Sequence, residues 1–134
     1  TFNLLDQFTS MENIAIQLEL QGTSSSQARI EAEKILHYLG LRDRADRYPK
    51  ELSGGEQQRI AIGRAISKNS RIILADEPTA HLDTTNAKHV IELLHDVRNH
   101  FGKTIVLVTH EPEQAKMADR IITLEDGRLK TDKE

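Results

Sequence analysis

The sequence has 134 residues, a formal net charge of −3 and no cysteine, so we expect one soluble domain without disulfides or cysteine-based metal sites. Its longest apolar runs, residues 72–75 and 105–108, are far shorter than the roughly 20 residues that a membrane-spanning helix needs. Lysine and arginine are scattered among aspartate and glutamate rather than clustered. The charge pattern therefore predicts no nucleic-acid partner.

Helical patterns dominate the first part of the chain. Thr9 and Glu12 form a capping box, which predicts a short amphipathic helix directly after them. A second helix is predicted from about Gln27 to a stop at Gly40. Its apolar face consists of Ala28, Ala32, Ile35, Leu36 and Leu39.

The most informative stretch is Leu-Ser-Gly-Gly-Glu-Gln-Gln-Arg at residues 52–59. Ser53 and Glu56 form another capping box, which begins a third helix. Because Gly54 and Gly55 carry no side chain, the first-turn amides and the positive end of the helix dipole are open to a phosphate group. An ordinary capped helix after a glycine turn is the alternative. The side chains predicted to face inward are Ile60, Ala61 and Ala65.

After residue 69 the pattern changes to strands that alternate with helices. Short apolar runs without polar alternation predict strands that are covered on both faces. A long helix, capped by Asp83 and ended by Gly102, lies between the first two strands. The three predicted strands are Ile72–Ala75, Thr104–Thr109 and Ile121–Leu124.

This order of elements predicts an α/β fold with a mainly parallel sheet and flanking helices. A short helix is predicted at Glu113–Met117, and Asp126-Gly127 is typical of a hairpin turn. We divide the chain into a helical subdomain, residues 1–52, and a second part, residues 53–134, which contains the third helix and the strands.

Candidate catalytic residues follow the first two strands, where parallel sheets place their chemistry. Four apolar residues followed by Asp76 and Glu77 are typical of a strand whose first acid holds magnesium through water and whose second acid polarises an attacking water. His110 follows the second strand. Taken singly, the acids could cap a turn, and His110 could be a turn or surface residue. The other five histidines are interpreted as solvated or structural. The three on the long helix do not indicate a zinc site, because they lack the i, i+4 spacing of a metal pair.

Taken together and in order, these motifs resemble those of the ATP-binding cassette (ABC) ATPases, which are P-loop NTPase-like proteins. Residues 52–57 resemble the signature motif, residues 72–77 the Walker B strand, residues 80–83 the D-loop and His110 the switch histidine. The resemblance covers essentially the whole chain. Residues 2–5, 12–13, 52–59 and 75–79 are most similar to the bacterial lipoprotein-releasing and macrolide-export ATPases.

The resemblance implies a head-to-tail dimer of two cassettes, in which each ATP is held by the P-loop of one subunit and the signature helix of the other. Ser53, Gly54 and Gly55, with Glu56, then bind the γ-phosphate of the ATP of a partner subunit. Asp83 then lies at the seam between the two subunits.

The resemblance also implies ATP and Mg²⁺ as cofactors. Asp76 then supports Mg²⁺ through water, Glu77 acts as the general base toward the attacking water, and His110 contacts the γ-phosphate of the ATP on its own side. The implied partner outside the dimer is a transmembrane permease docked on the helical subdomain. The cassette is then cytoplasmic and peripheral to the inner membrane.

Two alternatives remain open from the sequence. One is a soluble ABC ATPase that acts on ribosomes or DNA. The other is a truncated, non-enzymatic module that lends its signature helix to an intact partner.

No Gly-x-x-x-x-Gly-Lys-Ser/Thr loop occurs in the sequence, and the chain opens with Thr1. We therefore expect the C-terminal part of a longer protein, with about another hundred residues upstream that carry the Walker A loop. We expect the isolated chain to be marginally stable, because strand edges and an apolar sheet face stay uncovered. Without a P-loop, we also expect it to show no appreciable ATP hydrolysis.

Overall fold

Residues 2–130, which the computed structural model describes, form helices first and a small parallel sheet later. The five α-helices are α1 (Ser10–Glu19), α2 (Ser25–Tyr38), α3 (Gly54–Ser67), α4 (Thr84–Phe101) and α5 (Pro112–Ala115). The four strands are β1 (Ile72–Asp76), β2 (Thr104–Val108), β3 (Leu124–Glu125) and β4 (Arg128–Leu129). No helix within this part of the chain is long and apolar enough to cross a membrane.

The starts of the first two helices follow the capping pattern of the sequence. The Glu12 amide donates to Thr9 Oγ1 at 3.3 Å, and the Thr9 amide donates to Glu12 Oε2 at 2.8 Å, so the predicted capping box is confirmed. α2 begins slightly before the predicted Gln27, because Ser24 Oγ accepts from the Gln27 amide at 3.4 Å and caps the helix. Gly40, at φ +68°, follows the end of α2 as predicted.

A buried asparagine anchors the segment that precedes α1. Asn13 is fully buried, and its Oδ1 accepts from the Leu5 amide at 2.9 Å. Its Nδ2 donates to the carbonyl oxygens of Leu5, Phe8 and Thr9 at 2.9–3.1 Å. A buried amide side chain needs such partners, and here every one of them is a backbone group of the same loop.

α3 is the central element, because it packs against α1, α2 and α4. Because these three helices cover α3 from more than one side, its buried face is wide. The set of α3 residues predicted to face inward is therefore partly wrong. Ile60 is buried as predicted, but Ala61 and Ala65 are only half-buried, and Ile62 and Ile66 are buried instead. The fully buried apolar side chains of the core are Ile14, Ala28, Ala32, Leu36, Ile60, Val90 and Val97.

A side chain at Gly63 would crowd the contact of α3 with the first two helices. A Cβ atom there would lie 2.8 Å from Leu39 Cδ1 and 2.9 Å from Ile14 Cδ1, closer than side-chain carbons pack. The sequence pattern did not single out this glycine, because its role depends on two residues from other helices.

β1 and β2 pair in parallel, with Ile72 opposite Thr104 and Asp76 opposite Val108. α4 makes the crossover between them, and it is capped by Asp83 and ended by Gly102 as predicted. One face of this pair packs against the core. The other is open in the described chain, so the prediction of strands covered on both faces is wrong here and the prediction of an uncovered apolar face is confirmed. Its exposed side chains are Ile72, Leu74, Val106 and Val108.

The predicted third strand, Ile121–Leu124, is largely wrong. Ile121 and Ile122 lie outside any strand and are exposed, because the described residues place no neighbouring strand beside them. β3 instead pairs with β4 in an antiparallel hairpin separate from the parallel pair. Its turn has positive φ at both Asp126 and Gly127, which confirms the predicted hairpin turn. Residues 131–134 lie outside the described part of the chain.

We predict that Gly63→Val lowers the free energy of unfolding of the chain by about 2 kcal/mol, because the new side chain overpacks the contact with Leu39 and Ile14. Ala61→Val, on the same helix but half-buried beside an open hollow, is the matched control and loses less than about 1 kcal/mol. Urea denaturation followed by circular dichroism measures both. Equal losses in the two variants would show that Gly63 is not a packing constraint.

Candidate functional site

The start of α3 is a complete capping box, as the sequence predicts. Ser53 Oγ accepts from the Glu56 amide at 3.2 Å, and Glu56 Oε2 accepts from the Ser53 amide at 2.8 Å. Arg44 Nε donates to the second oxygen of Glu56 at 2.9 Å. Partial burial opposes ionisation of Glu56, but these hydrogen bonds outweigh it and lower the pKa of its carboxyl group. Within the described residues, the amides of Gly54 and Gly55 have no hydrogen-bond acceptor.

The two glycines also have packing roles that the sequence did not reveal. A Cβ atom on Gly55 would lie 2.6 Å from Asn86 Oδ1, and one on Gly54 would lie 3.4 Å from Leu82 Cδ2. A side chain on Gly55 would therefore displace the Asn86 side chain at the start of α4, whether or not a phosphate binds there. The turn at residues 53–55 and the segment before α4 are direct neighbours.

Asp83 caps α4 and faces this same neighbourhood. Its Oδ1 accepts from the amides of Thr85 and Asn86 at 3.1 and 3.0 Å, and its Oδ2 accepts from Asn86 Nδ2. Hydrogen bonds from Asn86 are the main reason that the pKa of Asp83 lies below its ordinary value. Asn86 thus contacts both Asp83 and Gly55, and it was not among the predicted site residues.

Asp76 and Glu77 stand at the carboxyl end of β1, as predicted. The Glu77 amide donates to the Val108 carbonyl oxygen at 2.9 Å and extends the β1–β2 pairing by one bond. Glu77 has φ +44°, in the left-handed region that a residue with a side chain seldom adopts. Strain of this kind is concentrated at functional sites. Asp76 is exposed, and no hydrogen bond or ion pair within residues 2–130 engages its carboxylate.

The structure brings His110 directly to Glu77. His110 Nδ1 lies 2.7 Å from Glu77 Oε1, and His110 Nε2 lies 3.5 Å from Glu111 Oε1. The hydrogen bond with Glu77, helped by the charges of both carboxylates, raises the pKa of His110. Glu77 Oε2 has no protein partner among the described residues, so one oxygen of this carboxylate remains free.

A second contact between the same two loops passes through Gln114 of α5. Gln114 Nε2 donates to Thr79 Oγ1 at 2.8 Å, and Gln114 Oε1 accepts from Thr109 Oγ1 at 3.1 Å. The Thr109 hydroxyl also accepts from the Glu111 amide at 3.1 Å. Sequence reasoning missed Gln114, since nothing in its local pattern distinguishes it from a solvated glutamine.

An open hollow of about 440 Å³ lies between α3 and the end of β1. Asp76 and Glu77 line it together with Gln58, His81 and Phe2. The turn at residues 53–55 does not take part in this hollow.

The predicted site residues therefore form two separate groups. Asp76, Glu77 and His110 gather at the end of the parallel strands, whereas Ser53, Gly54, Gly55, Glu56 and Asp83 gather where α3 and α4 begin. No hydrogen bond or ion pair in the described part of the chain joins a member of one group to a member of the other. Neither group by itself surrounds a ligand.

The donor set at the strand ends suits a weakly held hard cation. No cluster of three or more histidine, aspartate or glutamate residues that could hold a metal ion occurs within residues 2–130. Asp76 alone offers an unengaged, exposed carboxylate. Mg²⁺ commonly binds proteins through one or two carboxylates and completes its shell with phosphates and water, so this single ligand fits it.

Comparison with known proteins identifies the family. The family model described as ABC transporter matches residues 1–80. The chain is 45% identical over 129 residues to the lipoprotein-releasing system ATP-binding protein LolD of Bacteroides thetaiotaomicron, which covers 96% of this chain and 59% of the relative. It is 39% identical over 128 residues to the macrolide export ATP-binding/permease protein MacB of Escherichia coli K12, which covers 96% of this chain and 20% of the relative.

Solved structures agree with these relatives. The dimeric structure of MJ0796, a bacterial ABC transporter cassette, matches with a TM-score of 0.81 and 39% identity over 96% of this chain and 57% of that chain. The dimeric post-hydrolysis state of the same cassette, bound to ADP and Pi, matches with the same values. The chain thus spans less than two thirds of the length of these relatives. The predicted similarity to lipoprotein-releasing and macrolide-export ATPases is confirmed, and the chain belongs to the ABC transporter ATP-binding family.

Proposed function

We propose that this chain is part of an ATP-binding and ATP-hydrolysing subunit that energises transport through a membrane permease. The observation that carries the proposal is the direct contact of Glu77 with His110, next to Asp76, at the carboxyl ends of two parallel strands. The names of the relatives, which are ATP-binding proteins of transport systems, favour this function over action on ribosomes or DNA.

Glu77 is the proposed general base. Its Oε1 is held by His110, which orients the carboxylate, and its Oε2 is free to accept a proton from water. Asp76 would support Mg²⁺ through water, and the bound ion would neutralise charge on the phosphates. His110 would contact the γ-phosphate of the same nucleotide through Nε2, which lies 3.5 Å from Glu111 Oε1. These roles rest on the positions of the three side chains at one sheet edge.

Ser53, Gly54 and Gly55, with Glu56 as the reciprocal cap, are the proposed γ-phosphate contacts for the ATP of a second subunit. The free amides of Gly54 and Gly55 and the dipole of α3 supply positive potential there. Two observations support action across a dimer: within residues 2–130 no hydrogen bond or ion pair joins this turn to the Glu77 group, and the matching cassette structures are dimeric. Asp83, which contacts Asn86 beside Gly55, lies at the proposed seam.

The proposed P-loop lies outside this sequence. Asp76 shares the alternating, exposed positions of Ile72 and Leu74, so the proposed magnesium residue stands at the end of an uncovered apolar face. We propose that residues of a longer polypeptide cover this face and bring the phosphate-binding lysine. The chain alone then shows no appreciable ATP hydrolysis. Its proposed location is cytoplasmic and peripheral to the inner membrane, against the permease.

We predict that Glu77→Gln, in an ATP-hydrolysing protein that contains this chain, slows hydrolysis by roughly 10²-fold or more, because the amide cannot accept the proton. ATP binding is preserved, since the amide keeps the size of the side chain. Phosphate release measures the first effect and fluorescent-nucleotide titration the second. Loss of ATP binding would show instead that Glu77 is structural.

We predict that the Ser53→Arg and Glu77→Gln variants of an ATP-hydrolysing protein that contains this chain, each nearly inactive alone, partly restore hydrolysis when they are mixed. A head-to-tail heterodimer has one site with an intact base and an intact signature turn, so an equal mixture regains about a quarter of wild-type activity. The matched control mixes Ser53→Arg with Gly54→Arg, which damages the same turn in both subunits and recovers nothing. Equal rates of ATP hydrolysis in the two mixtures would contradict the head-to-tail dimer.

We predict that the contact of His110 with Glu77 makes stability depend on pH. Because the contact raises the folded pKa of His110 above its ordinary value of 6.5, its stabilisation is fully present below that value and is lost as pH rises through the raised one. The difference in unfolding free energy between wild type and His110→Gln therefore shrinks as pH rises above 6.5 and through the raised pKa of His110. His37→Gln, which removes an exposed histidine of α2 without an ion pair within residues 2–130, is the control. A difference that grows with pH would contradict this sign.

A further inference from the structure

The loops that carry Glu77 and His110 begin where the neighbouring strands β1 and β2 end. The last backbone hydrogen bond between them joins the Glu77 amide to the Val108 carbonyl oxygen. Beyond it, no backbone hydrogen bond joins the two loops within residues 2–130, and Glu77 itself has left-handed backbone at φ +44°. The spacing of the two side chains therefore depends on contacts made after the strands end.

Gln114 supplies such a contact. Its amide holds a donor group and an acceptor oxygen in fixed relative positions, and both are used: Nε2 donates to Thr79 Oγ1 and Oε1 accepts from Thr109 Oγ1. Thr79, two residues after Glu77, is buried at 7% exposure, and Thr109 immediately precedes His110. The polar chain continues from the Thr109 hydroxyl to the Glu111 amide, on the far side of His110.

We propose that Gln114 is a positioning residue that holds the Glu77 loop and the His110 loop at a fixed separation by bridging Thr79 and Thr109. The proposal rests on the proposed roles of Glu77 and His110 in hydrolysis. Hydrogen bonds in a connected network strengthen one another, so the half-buried bridge resists the separation of the loops more than either bond alone. Gln114 acts through its two neighbours and touches neither the nucleotide nor the attacking water.

Two substitutions separate a bridge from a merely structural glutamine. Gln114→Met keeps the approximate length and volume of the side chain but removes both hydrogen bonds. Gln114→Glu keeps the bridge, because an ionised carboxylate accepts from both threonine hydroxyls. Thr109→Val breaks the same bridge from the other side with little change in volume. Glu113→Gln, an exposed neighbour on α5, is the matched control.

The first readout needs no ATP hydrolysis. In the 134-residue chain labelled with ¹⁵N-histidine, the ring nitrogen shifts of His110 at one pH report its contact with Glu77. Gln114→Met and Thr109→Val are expected to move these shifts toward those of Glu77→Ala, whereas Gln114→Glu and Glu113→Gln stay at the wild-type values. Wild-type His110 shifts in a folded Gln114→Met or Thr109→Val chain would overturn the proposal.

The second readout is turnover by an ATP-hydrolysing protein that contains this chain. Gln114→Met is expected to lower kcat by about tenfold or more, with KM for ATP within about twofold, since misplaced groups slow chemistry rather than binding. Gln114→Glu is expected to keep most of the wild-type kcat. If Glu77→Gln lowers kcat and Gln114→Met does not, the positioning role is wrong. If Glu77→Gln itself has no effect on kcat, the proposed function is wrong. The ring nitrogen shifts of His110 then still test whether Gln114 holds the two loops together.

Discussion

The parallel pairing of β1 with β2 is the constraint on which the candidate chemistry depends. It aligns the two strands so that Asp76 lies opposite Val108, and it carries Glu77 and His110, which are 33 positions apart in the sequence, into hydrogen-bond contact. α4 makes this possible, because parallel strands need a long crossover between them. The strained backbone of Glu77 is held by the same ladder, through its bond to the Val108 carbonyl oxygen.

α3 connects this sheet edge to the helices and gives the chain its second candidate site. Its start is capped by Ser53 and Glu56 and packs on Asn86, and its middle packs on α1 and α2 through Gly63. A side chain at Gly55 or Gly63 would crowd side chains of other elements. The glycine-rich turn therefore has a packing explanation at Gly55, which lies against Asn86, beside the proposed binding of a phosphate by its amides.

Much of the local structure follows from short-range patterns. The capping boxes at Thr9 and Ser53, the cap at Asp83 and the hairpin turn at Gly127 all involve residues within three or four positions of one another, and the structure confirms each. The prediction of the third strand was wrong because a strand depends on a partner that is distant in the sequence. A short apolar run forms a strand only when a neighbour supplies hydrogen bonds, and no residue near Ile121 in the sequence encodes that neighbour.

The sequence by itself determined the helices, the first two strands, the candidate residues and, through their order, the resemblance to a family. Only the tertiary structure decided that Glu77 and His110 touch and that Gln114 joins Thr79 to Thr109. It also left the turn at residues 53–55 without a hydrogen bond to Glu77 or His110 in the described part of the chain. The physical reason is how far apart in the sequence the interacting residues lie. Capping and periodicity are local properties of the chain, whereas contacts between distant residues depend on strand register and helix packing, which no local pattern specifies.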